Sequence, residues 1–270
     1  MSESSRYESP TPRLKASLDR GVLNLRFNNP ARHNALSIET WSAVPILLER
    51  AAQDDVVRLI VFSGEGEKAF ASGDDVSQFE DVRAAHDEVM RYERIAETAL
   101  KAIHDFPKPT LAYIRGYCIG GGLNVAVACD LRIASMDSVF SIPATRLGLG
   151  YLFSATKNLT DLVGPGAAKD IVYTARRLDA AEAHRIGLVN RITEPALLPA
   201  LLDEYVKSIT SGAPLTVKAA KRIIHELLKP DADVDLELCH RLILDCFESE
   251  DYGEGRRAFM EKRKPVFKGR

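Results

Sequence analysis

Short, almost wholly apolar runs recur along this chain, each followed by a second short strand pattern and then by a helix. Val56 to Phe62, interrupted only by Arg58, is one such run and Thr110 to Ile114 is another. A strand with one wet face alternates apolar and polar residues, so a run without that alternation fits a strand covered on both faces. Helical patterns follow from about Ala84 to Ile103 and again from the triplet Gly120-Gly121-Gly122, and a fainter copy runs through Leu131 to Ala134, Val139 to Ser141 and the helices after Ala155. Strand, strand, helix therefore repeats as a supersecondary unit without strict residue periodicity. Ahead of it, Leu14 to Ser17 and Val22 to Phe27 read as a hairpin joined at Asp19-Arg20-Gly21. Ser37 caps a helix through Trp41, Leu47 and Ala51, whose interior Pro45 should kink or restart. From Pro195 onward the pattern is helical only. The expected layout is an α/β protein with a mobile Ser- and Pro-rich tail over 1–12, a core over 13–194 and a separate helical segment over 195–270.

Composition excludes several functions. With 270 residues, 46% of them apolar, the chain can bury a full core. Its 36 basic and 38 acidic residues leave a net charge of -2, which gives no global field for nucleic acid or an anionic membrane. Cys118, Cys129, Cys239 and Cys246 show no CxxC spacing and sit in apolar surroundings, as buried free thiols of a reducing compartment do. The histidines match no ligand spacing, so no metal is expected. The N-terminal MSESSRYESPTPR has no apolar h-region and no apolar run approaches about 18 residues, so a cytoplasmic protein with no membrane span is expected.

Two glycine-bearing turns carry the chemistry. Ser72-Gly73-Asp74-Asp75 leaves a strand, and Ile119-Gly120-Gly121-Gly122 opens a helix. Glycine lets backbone approach a ligand closely, and the first N–H groups of a helix lack internal partners and carry the positive end of its dipole. Two such N–H groups facing one point form an oxyanion hole, although either stretch alone reads as a tight turn. The triplet is neither a GxGxxG fingerprint nor a Walker loop, so a phosphate cradle is weakly supported.

With these turns in place the chain resembles the crotonase (enoyl-CoA hydratase/isomerase) superfamily over about residues 13–270. The resemblance rests on NNPARHNALS, AFASGDDVSQF, PTLAYIRGYCIGGGLNVAVACDLRIAS, FSIPATRLGLG, DAAEAHRIGLVNRI and EGRRAFMEKRKPVF, in the family's order. It implies a crotonase-type spiral of ββα repeats with a C-terminal helical layer, a homotrimer or homohexamer, and an acyl-CoA thioester whose enolate is held by the backbone N–H groups of Asp74 and Gly121. Coenzyme A is then part of the substrate and no other cofactor is needed. The resemblance places the substrate along Arg32, Ser72, Asp74, Asp75 and Gly120, with Phe259 and Lys262 near the nucleotide.

Departures from the family pattern concern the proton chemistry. Hydratases of this family carry glutamates where this chain has Asn124 and Ala144, and neither replacement exchanges a proton near neutral pH. The electrostatic part of catalysis would remain. Arg146 could clamp a carboxylate or instead form a structural ion pair; Tyr151 is a conceivable proton donor or a packing residue; Asp75 fits a loop-holding role. Three functions stay open: an enoyl-CoA hydratase or isomerase with weak or relocated proton transfer, a decarboxylase of a malonyl-type thioester in which Arg146 holds the leaving carboxylate, and a non-catalytic acyl-CoA-binding protein.

Overall fold

The hairpin closes as the sequence requires. In the computed structural model, which describes residues 7–74 and 86–270, β1 (Leu14–Asp19) pairs antiparallel with β2 (Val22–Phe27) through Arg20 and Gly21, both at positive φ. Two consecutive positive φ values match the twist of a two-residue hairpin. From β2 onward the main sheet is parallel, through β3 (Leu59–Gly64), β5 (Thr110–Ile114), β7 (Leu131–Ser135) and β10 (Arg191–Thr193), in the order β1-β2-β3-β5-β7-β10. A second sheet has the order β4-β6-β8-β9, from β4 (Ala69–Ala71), β6 (Tyr117–Ile119), β8 (Val139–Ser141) and β9 (Leu178–Asp179).

Each repeat thus gives its first strand to the main sheet and its second to the smaller one, before a helix returns. The helices are α1 (Ile38–Ala52), α2 (His86–His104), α3 (Gly121–Ala128), α4 (Ala144–Leu147), α5 (Phe153–Thr174) and α6 (Ala180–Arg185). The C-terminal part adds α7 (Leu198–Thr210), α8 (Pro214–Leu227), α9 (Leu236–Glu248) and α10 (Glu250–Met260).

The non-alternating apolar strands are explained by two cores. Ile60 and Phe62 of β3 face the larger core, where the Phe27 ring stacks on Phe62 at 6.2 Å and meets Phe70 edge-on at 5.5 Å. Leu59 and Val61 face the other way, onto Leu198 and Leu201 of α7. The C-terminal segment expected as a separate layer is therefore not separate, because its first helix buries the second face of the sheet. Its last residues also fold back: Arg58 donates to the Phe267 carbonyl at 3.2 Å, and Asp251 accepts from the N–H groups of Lys268 and Gly269.

Two further expectations are corrected. Of the kink or restart expected at Pro45, the restart does not occur: α1, capped by Ser37 accepting from the Thr40 N–H at 3.3 Å, is continuous through it. Proline removes one ladder bond, yet burial of Trp41, Val44, Leu47 and Leu48 on the same helix outweighs that loss. In the supposed tail, Tyr7 and Thr11 are buried and Tyr7 donates to Asp54 Oδ2 at 3.1 Å, so residues from Tyr7 onward pack on the core.

Asp130, the acidic residue that ends the glycine-opened segment, has a structural duty. It accepts from the N–H and hydroxyl of Thr110 and from Lys221 Nζ, tying β5 to α8. Beside it the buried Arg132 guanidinium donates to the carbonyls of Leu188, Ala126 and Cys129. The four cysteines are free; burial pushes the Cys118 thiol well up and the Cys129 thiol up to about 12.

Candidate active site

The site is a cleft where the two glycine turns meet. After β4 the chain turns at Gly73, whose φ of 104° favours glycine, and at Gly120, with φ 52°, it turns again into α3. A Cβ on Gly120 would lie 3.7 Å from Gly73 Cα, and one on Gly73 would lie 3.8 Å from Gly121 N. An added methyl on either turn would thus be in van der Waals contact with the other. The third glycine has a packing role: a methyl on Gly122 would stand 2.3 Å from the Ala71 carbonyl oxygen, so only glycine lets α3 lie against β4.

A third segment locks the first turn in place. Ser72 N–H donates to the His33 carbonyl at 3.0 Å, Ser72 Oγ to the Arg32 carbonyl at 3.1 Å, and Leu36 N–H to the Gly73 carbonyl at 2.8 Å. Buried Asn34 staples this segment to β4, accepting from Asn29 N–H and donating to the carbonyls of Glu65 and Ala69. Backbone around Asp74 is therefore held by a network that owes nothing to its own side chain.

Ser72, Gly73, Asp74, Gly120, Gly121, Asn124 and Ala144 all line the cleft. Tyr151 joins them and donates from its hydroxyl to Asn124 Oδ1. Burial pushes the Tyr151 phenol well above its ordinary value, the Asn124 hydrogen bond opposes that rise, and the Asp74 charge adds to it. A phenol held in this state keeps its proton across the physiological range. The amide at 124 is thus occupied as the acceptor of a tyrosine.

Other expected residues lie elsewhere. Arg146 is exposed and does not line the cleft, so of the two readings open for it, carboxylate clamp or structural ion pair with a neighbouring subunit, the clamp is not formed within one chain. The reason is local: α4 is a single turn, and its third residue points away from the face that carries Ala144. Arg32 is exposed and touches the site through its carbonyl alone among the contacts above. Phe259, 83% exposed, lines a different groove with Tyr252 and Phe267, and Lys262 is exposed just beyond α10; neither reaches the cleft of its own chain. Asp75 lies outside the described residues.

The cleft also holds residues the sequence reading passed over. Trp41 Nε1 donates to Asp74 Oδ1 at 3.0 Å and Tyr92 hydroxyl donates to the same oxygen at 2.7 Å. Glu93 lines the cleft from α2. Trp41 and Tyr92 looked like the buried stripe of amphipathic helices, which they also are. The available clue was the doubled aspartate of Ser72-Gly73-Asp74-Asp75, which puts a carboxylate on a position that the resemblance uses through its backbone. Among the described residues no group of three or more His, Cys, Asp or Glu is placed to hold a metal ion, and no helix is long and apolar enough to cross a membrane.

The sequence profile of the enoyl-CoA hydratase/isomerase family matches residues 17–270. The chain belongs to this family. It is 34% identical over 243 residues to the short-chain-enoyl-CoA hydratase of Clostridium acetobutylicum, covering 90% of this chain and 92% of that protein. The crotonyl-CoA hydratase of Syntrophomonas wolfei is 33% identical over 243 residues, covering 90% and 93%. The crystal structure of an enoyl-CoA hydratase from Bacillus anthracis superposes with a TM-score of 0.89 at 28% identity, covering 96% of this chain and 100% of that one. The family member described here accordingly has the crotonase fold, with its two strands per repeat shared between two sheets.

Proposed function

We propose that this member of the enoyl-CoA hydratase/isomerase family binds an acyl-CoA thioester in the cleft and polarises its carbonyl with the backbone N–H groups of Asp74 and Gly121. The observation that carries this reading is the close approach of the two glycine turns, where a Cβ added to Gly73 would meet Gly121 N at 3.8 Å, with the first residue of α3 in the cleft. An N–H at a helix start is one that the helix leaves without an internal partner, and it lies at the positive end of the dipole. Donors fixed in advance stabilise charge that develops on the thioester oxygen without reorganising, which is worth about 2.7–4 kcal/mol for a single donor. Coenzyme A enters as part of the substrate and no further cofactor is invoked.

The reaction class is enolate formation at the carbon next to the thioester, with hydration or isomerisation as the family-level outcome. Asn124 and Ala144 supply neither a base nor an acid. Calorimetric titration with crotonyl-CoA, octanoyl-CoA and phenylacetyl-CoA tests the reading: at least one should bind, and the corresponding free acids should bind far more weakly. Absence of binding by every thioester would remove it.

A further inference from the structure

We infer that the side chain of Asp74, and not only its backbone, is a catalytic residue: its carboxylate is the base that takes a proton from the carbon next to the thioester carbonyl. The inference rests on the acyl-CoA reading of the cleft. Among the described residues, the titratable groups facing this space are Asp74, Tyr92, Glu93 and Tyr151. Tyr151 is committed to Asn124. Tyr92 is buried and gives its hydroxyl hydrogen to Asp74. Of the two carboxylates, Glu93 stands on α2, whereas Asp74 stands on the turn that would hold the substrate oxygen.

Geometry singles out Asp74. Its Oδ1 lies 3.0 Å from the position a Cβ on Gly121 would take, so the carboxylate sits over the backbone of the second oxyanion donor. A thioester oxygen held by the N–H groups of Asp74 and Gly121 has its C2 carbon only two bonds away, beside that carboxylate. Trp41 and Tyr92 both donate to Oδ1, fixing the group.

The step balances. An Asp74 oxygen takes the C2 proton, the C2–H electron pair becomes the C1–C2 π bond, and the carbonyl π pair moves onto the thioester oxygen. Returning the proton, or one exchanged with solvent, to C2 reverses it. The step leaves the net charge of the cleft unchanged, since the Asp74 carboxylate is neutralised as the oxyanion forms. A carboxylate beside an oxyanion hole is therefore no electrostatic contradiction.

Replacing Asp74 by asparagine separates the two roles of the residue, because the amide oxygen still accepts from Trp41 and Tyr92 and the backbone N–H is untouched. The experiment incubates wild type, Asp74→Asn, Glu93→Gln and Tyr92→Phe with butyryl-CoA, octanoyl-CoA and phenylacetyl-CoA in deuterium oxide. Deuterium at C2 is read by mass spectrometry, and thioester binding by calorimetry. Wild type should exchange; Asp74→Asn should bind within a few-fold of wild type while exchange falls by about 10²–10⁴-fold. Tyr92→Phe removes one donor from the carboxylate, so the acid limb of its exchange–pH profile should move to higher pH, a readout that does not depend on how Asp74→Asn folds. Wild-type exchange rates in Asp74→Asn, loss of exchange in Glu93→Gln alone, an unmoved profile in Tyr92→Phe, or a wild type that binds thioesters without exchanging would each overturn the assignment. A wild type that binds no thioester fails at the calorimetric step, which condemns the reading of the cleft itself.

Discussion

At residue scale the cleft holds its polar groups in pairs formed across the chain, and those pairs govern what substitutions do. Asn124 accepts from Tyr151, and Ala144, 5% exposed, lines the same cleft with a side chain that has no ionisable proton. Crotonyl-CoA should consequently be hydrated far more slowly than by relatives bearing two glutamates, each missing group being worth about 10²–10⁴-fold. Asn124→Glu with Ala144→Glu should raise hydration measurably, and either alone should do little, because groups acting on one water are strongly non-additive. The assay is loss of enoyl-thioester absorbance for wild type, both single variants and the double. Wild type already matching a two-glutamate hydratase would contradict the prediction. A carboxylate at 124 would also sit near the Asp74 charge, which tends to keep one of the two protonated.

Elements are joined by contacts that respond to pH. The imidazoles of His104, at the end of α2, and His225, in the last turn of α8, stack in parallel with centroids 4.6 Å apart. Burial holds both below their ordinary value of 6.5; for His225 the neighbouring His104 adds to the depression, while Asp105 opposes it at His104. Lys221, Asp130, Asp105 and Lys157 are the charged groups around the pair. A depressed folded-state pKa means that the unfolded chain takes up protons first. The contribution of the stack is thus present above pH 6.5 and is lost as pH falls below that value. Thermal unfolding followed from neutral pH downward should show a steeper acid loss for wild type than for His225→Phe. Parallel curves for the two proteins would show that the stack does not set this dependence.

At the scale of the whole molecule, one chain leaves more apolar surface in solvent than a solitary protein tolerates. Phe153, Tyr173, Leu227, Phe259 and Met260 are each 68–83% exposed, and Ile243, Leu244 and Phe247 add to the outer face of α9. Such a surface is expected to close in a symmetric oligomer, and the resemblance noted in the sequence implies a multiple of three subunits. Light scattering at micromolar concentration should return such a species, and a stable monomer would contradict it. Arg146, Phe259 and Lys262, all exposed and none of them in the cleft of their own chain, are the residues whose surroundings such an assembly would change.

The amino-acid sequence by itself determined the hairpin at Arg20-Gly21, the doubly covered strands, the two glycine turns and the helix capped by Ser37. Each depends on a local quantity that a short stretch displays: the sign of φ, the period of burial, or a cap within three residues. It also displayed the absence of a carboxylate at 124 and 144, because that is a matter of residue identity. Tertiary structure alone decided which polar groups meet. Trp41 and Asp74 are separated by 33 positions, Tyr92 and Asp74 by 18, and Tyr151 and Asn124 by 27. No period or spacing marks such pairs, since they are created when separate elements close on one another. The same cause placed α7 on the main sheet and turned Arg146 outward: burial is settled by the surface each element finds opposite it, which a local pattern does not contain.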